Sequence, residues 1–117
     1  MSETNSYEKL EIWKESMRLS IFIYKNIRKS TWTDISLIQQ IRRSMTSVTL
    51  NIAEGMSRKT KKEKEHFLTI AFASCMETRA TLRIIQELND QPLDVANLID
   101  EIGILSRRIS AFRHVVN

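Results

Sequence analysis

At 117 residues and a formal net charge of +4, the chain fits one domain with a single core and leaves no room for a second. Its 42% hydrophobic and 27% charged residues read as globular, and no apolar run approaches the length that spans a bilayer. A lone cysteine, Cys75, excludes an internal disulfide framework and a multi-cysteine metal site.

The polar start, Met1 to Ser6, lacks the basic-then-apolar pattern of a signal peptide, so a cytoplasmic location is the expectation. The charge is unevenly placed. Residues 35–66 hold seven basic and three acidic side chains, whereas residues 1–34 hold six and five and residues 67–117 five and six. A local excess of this kind attracts anionic partners, most often nucleic acid.

Two glycines and one proline leave few helix breakers. From about 7 to 29, Leu10, Trp13, Met17, Ser20, Tyr24 and Ile27 recur at the spacing of an amphipathic helix. Thr33 or Asp34 can cap a second helix over about 34–55, with Ile38, Ile41, Met45, Val48 and Ile52 on its inner stripe. Gly55 suits its end, because glycine takes the left-handed conformation without a clash. Thr60-Lys61-Lys62-Glu63 matches a capping box and opens a third helix over about 60–89, through Leu68, Ala71, Cys75, Thr78, Leu82 and Ile85. Pro92 ends that helix and can occupy the first turn of a fourth, over about 92–115. Its stripe is Val95, Leu98, Ile102, Leu105, Ile109, Phe112 and Val116. Short links between four amphipathic helices predict an all-α, antiparallel up-down-up-down four-helix bundle spanning residues 1–117.

Helix 1 carries a second apolar set, Ile12, Leu19, Phe22 and Ile23, opposite the first. Ile70, Ile84 and Leu88 in helix 3 and Leu50 in helix 2 also lie off the principal stripes. A second stripe predicts a homo-oligomer, with Ile12, Leu19, Phe22 and Ile23 at the interface; a wider core around a sandwiched helix is the alternative.

Candidate chemistry is sparse. His66 and Cys75 fall on opposite faces of one helix, so they cannot form a local nucleophile–base pair, and Cys75 in the core stripe reads as a small hydrophobe. His114 lies near the end of helix 4, and the two histidines show no paired metal-ligand spacing, so neither metal nor cofactor is expected. The di-iron Glu-x-x-His motif needs two copies, and only Glu63 to His66 supplies one. Glu54 and Glu77 could approach across helices 2 and 3. Such carboxylates more often pair with arginine, and with Asn51, Ser44, Ser47 and Ser74 they read as a polar packing network. No catalytic residue is assigned. The basic set is Arg42, Arg43, Arg58, Lys59, Lys61, Lys62 and Lys64, residue types that phosphate recognition requires. No aromatic residue interleaves with it, which argues against base stacking.

The segment Ser47-Val48-Thr49-Leu50-Asn51-Ile52-Ala53-Glu54-Gly55 resembles the four-helix bundle proteins named for intervening sequences of bacterial large-subunit ribosomal RNA. Tyr7, Leu10, Trp13, Lys14 and Tyr24 resemble that family's first helix, and Gln40 to Arg43 its approach to the central motif. Arg58, Phe67-Leu68, Ala71, Ser74 and Glu77 resemble its third helix, with Ala73 departing from an expected glycine. The resemblance implies a bundle that assembles as a ring, typically a pentamer. It also implies a relationship to accessory proteins of diversity-generating retroelements, which work with a reverse transcriptase and its RNA.

The expected function is a non-enzymatic oligomeric scaffold that binds RNA or DNA through Arg42, Arg43, Arg58, Lys59, Lys61, Lys62 and Lys64. The alternative is a protein-binding or structural oligomer whose positive field is incidental.

Overall fold

The computed structural model describes Tyr7 and residues 10–117. Four helices follow in order: α1 Glu11–Asn26, α2 Ile35–Met56, α3 Lys61–Leu88 and α4 Val95–Val115. Each packs against its neighbours in the sequence and α1 closes the ring against α4, which gives an antiparallel four-helix bundle of about 46 × 26 × 21 Å. The α1–α4 seam is much the sparsest of the four.

Local chemistry sets the helix ends. Asp34 accepts a hydrogen bond from the Leu37 amide (3.0 Å) and Thr60 from the Glu63 amide (3.1 Å), each filling one of the donors a helix start leaves unpaired. Glu63 returns only to the Thr60 hydroxyl, at 3.2 Å, so the capping box is half made. α3 ends on Asn89, whose φ of 54° is the left-handed turn that closes many helices. Two boundary expectations are corrected. Pro92 lies in the link rather than in α4, because Asp94 caps that helix by accepting from Asn97 N at 3.0 Å. Gly55 stays helical with negative φ, and its lack of a side chain serves packing instead.

Ile38, Ile41, Met45, Val48 and Ile52 of α2 face Leu68, Ala71, Cys75, Leu82 and Ile85 of α3 and the Leu98–Ile102–Leu105–Ile109 stripe of α4 in one core. α1 follows the wider-core alternative and not the interface expectation, since Ile27 of the first stripe is also buried and Leu10 and Trp13 pack against the core. Ile12, Leu19 and Ile23, placed at an oligomer interface by periodicity, are core residues, with Leu19 and Ile23 fully buried. Met17 and Tyr24, placed inside, are exposed, and of the four interface candidates only Phe22 reaches the surface. Both stripes have helical period, so the decision rests on what each would bury. The Ile12–Ser16–Leu19–Ile23–Ile27 row holds one hydroxyl, Ser16, which is satisfied within its own helix by donating to Trp13 O at 2.7 Å. Burying the other row would draw the Tyr24 hydroxyl, which cannot reach back to its own helix as Ser16 does, into apolar surroundings.

At the end of the bundle where α1 meets α2 and α3 meets α4, the two links are tied together. Asp90 accepts from Trp32 N (2.7 Å), Thr33 N (3.2 Å) and Thr33 Oγ1 (2.6 Å). Gln91 both accepts from Arg28 N at 2.8 Å and donates to Arg28 O at 2.7 Å. The Thr33 hydroxyl, followed by the Trp32 and Thr33 amides, holds the Asp90 carboxyl down at about 2. Thr33 is buried beneath the knot, while Trp32 remains 66% exposed.

Candidate nucleic-acid interface

The opposite end of the bundle carries the α2–α3 link, and its geometry begins at Gly55. A Cβ there would lie 3.1 Å from Phe67 Cβ and 3.4 Å from Lys64 O, so glycine lets the end of α2 press against the first turns of α3. That approach sets Phe67 beside Arg58, whose guanidinium stands 4.9 Å from the ring centroid, within cation–π range. Arg58 also pairs with Glu54, one turn back on α2. His66 meets Phe67 edge-on, with ring centroids 5.2 Å apart. Arg58, Lys62, Glu63, His66 and Phe67 line an open cavity of about 410 Å³.

The five cations of this region are not equivalent. Lys61 donates to Val116 O at 2.7 Å and pairs with Glu65 at 3.3 Å, and Lys64 donates to Asn117 O at 2.6 Å. These two hold the chain after α4 against α3. Lys59 and Lys62 are exposed, and among the described residues neither has a carboxylate within 4.0 Å.

Arg42 and Arg43 belong elsewhere. About 20 Å of α2 lies between Arg43 and Met56 at the helical rise. Arg42 stacks 4.7 Å from the centroid of Tyr24 and donates to Tyr24 O at 3.3 Å, and Arg43 lies 3.4 Å from Glu77. They border a second, larger groove of about 540 Å³ on the outer side of α1 and α2, with Tyr24, Thr46 and Leu50. The sequence grouped all seven cations as one set; the fold separates them into two patches.

The polar network runs along the α2–α3 seam. Ser47 and Ser74 share a 2.9 Å hydrogen bond, Ser44 and Thr78 one of 2.8 Å, and Asn51 donates to Ser47 O at 2.8 Å and Oγ at 3.0 Å. Glu54 and Glu77 stand outside these bonds, each turned to an arginine, Arg58 and Arg43 respectively. Cys75 is fully buried, and burial pushes its thiol up to about 12, far from the thiolate a nucleophile requires. No three His, Cys, Asp or Glu side chains among the described residues are grouped to hold a metal ion.

The sequence names Phe67 and His66 but gives neither a place beside the basic residues. Aromatic side chains do meet the basic run, because the link folds α3 back on α2 and brings Phe67 to Arg58 across nine positions. The one usable signal was Gly55, a glycine near a helix end that faces another helix.

A family model described as 23S rRNA-intervening sequence protein matches residues 8–111. The chain belongs to the 23S rRNA-intervening sequence protein family. No curated protein matches it. The match takes in α1, α2 and α3, all but the last turn of α4, the Gly55 approach and the whole basic link. Among the described residues, no helix is long and apolar enough to cross a membrane.

Proposed function

We propose that this protein is a non-enzymatic scaffold that binds nucleic acid, RNA foremost, at the α2–α3 link. The observation that carries the reading is the pairing pattern at that end: Lys59 and Lys62 stand exposed without a carboxylate partner among the described residues, beside the aromatic-backed Arg58. Unneutralised cations of this kind release counterions when they meet phosphates, which drives association. The family name, with its ribosomal RNA context, supports an RNA over other polyanions.

Self-association raises the affinity of such a site by repeating it on one particle. The exposed groove of Tyr24 and Leu50, continued by Met17 and Ile21 on α1, is the apolar surface we assign to contact between copies, in place of Ile12, Leu19 and Ile23. A closed ring, pentameric by family resemblance, would present several basic ends together. The reverse transcriptase implied by that resemblance is not needed for this binding and would be a partner of the assembled particle.

Fluorescence anisotropy of a labelled structured RNA, titrated at several salt concentrations, tests the reading. Binding should weaken with salt, and Lys59→Glu with Lys62→Glu should reduce the slope of log K against log salt by about 1.5 to 2. Absence of binding at low salt overturns it. Light scattering on Leu50→Glu tests assembly: a shift to smaller particles is expected, and an unchanged mass would remove the groove from the interface.

A further inference from the structure

Building on the proposed binding role of this end of the bundle, we infer that the cavity between Arg58 and His66 is a pocket for one unpaired nucleobase, and that Glu63 makes it prefer a base bearing an exocyclic amino group. The cavity volume of about 410 Å³ lies within the range of small-ligand sites. Three of its five lining side chains are flat. The Phe67 ring, the Arg58 guanidinium 4.9 Å from its centroid and the His66 imidazole packed edge-on to it offer planar surfaces to a base, and stacking on such groups tolerates any sequence. Bases paired inside a duplex cannot enter, so the pocket takes single-stranded or flipped nucleotides.

The lining contains one carboxylate. Glu63 accepts from the Thr60 hydroxyl at 3.2 Å, which uses one of its acceptor positions and leaves others for a ligand of the cavity it lines. A carboxylate accepts but does not donate, so it pairs with cytosine N4 and repels uracil O4 at the same place. Lys62 in the same lining, with Lys59 on the adjoining link, stands where the phosphates flanking that nucleotide would pass. The pocket thus combines sequence-independent backbone attraction with a single base discrimination.

Short oligocytidylate and oligouridylate of equal length, labelled and titrated at low salt against the intact protein, test this directly. The cytidine strand should bind about tenfold tighter, the scale of one good base contact. Glu63→Gln should abolish the preference, because the carboxamide can turn either its acceptor or its donor to the base, and it keeps the helix-capping geometry so that folding is preserved. His66→Ala, at an exposed site, should weaken both strands about fivefold or more. Equal affinity for the two strands, or a preference that survives Glu63→Gln, overturns the pocket even if structured RNA still binds. Loss of all nucleic-acid binding in the parent protein overturns both this inference and the binding role beneath it.

Discussion

The two ends of the bundle solve the same problem, joining antiparallel helices, by opposite means. At the Asp90 end, the two links exchange five hydrogen bonds through Asp90 and Gln91. Polar groups there are spent on one another, and the end is closed. At the Gly55 end, one link crosses between α2 and α3, the helices approach because a side chain is missing, and the polar groups left over are mostly cationic. A closed network fixes structure and leaves little to offer a ligand. An end whose charges lack partners stabilises less and can bind more. Division of labour along the bundle axis follows from which end satisfies its own groups.

The sharpest test of that division is double charge reversal. Lys59→Glu with Lys62→Glu removes two phosphate contacts and should lower RNA affinity at 50 mM salt on the order of 100-fold, while the melting temperature stays within a degree or two. A comparable loss from a reversal at the Asp90 end would dissolve the contrast between the two ends.

Asp90→Asn should do the reverse: lower the melting temperature by several degrees and leave RNA affinity unchanged. The sign of its pH dependence follows from the Asp90 carboxyl lying at about 2 in the fold, below its unfolded value of about 4. The stability it contributes is therefore full above about pH 4 and is lost as pH falls toward 2. Thermal melts of the parent should decline through this window, and those of Asp90→Asn should decline less.

Gly55→Ala probes the close approach. Overpacking against Phe67 Cβ costs about 1–3 kcal/mol, and the better helix propensity of alanine returns about 1 kcal/mol, so a net loss of about 1 kcal/mol in denaturant unfolding is expected. Gln91→Ala, which removes a pair of hydrogen bonds to the Arg28 backbone at a partly exposed site, should cost at most about 1 kcal/mol.

Much of the fold could be read along the chain because helix caps and inner stripes are local. Asp34 and Thr60 act within three residues, and the α2 stripe from Ile38 to Ile52 has no competitor on its helix. α1 was legible as a helix but its inner row was not, since two rows of equal period compete and the cost of burying the Tyr24 hydroxyl is what separates them. The candidate site was legible as composition and not as geometry. Seven cations could be counted, but that Lys61 and Lys64 would be occupied by carbonyls of residues 116 and 117 depends on where α4 ends in space. Likewise, Phe67 joins Arg58 only because Gly55 admits it.

The thin seam between α1 and α4 has a consequence for how the molecule breathes. α2 and α3 share the serine–threonine ladder and α3 is joined to α4 by Arg79, which donates to Ile99 O at 3.2 Å over Gly103, whereas Arg18–Glu101 is the chief polar tie from α1 to α4. Opening is cheapest where buried contact is least. α1 is then the helix that detaches first, as a strap lifting from a three-helix remainder, and its backbone amides should exchange with deuterium ahead of those of α3.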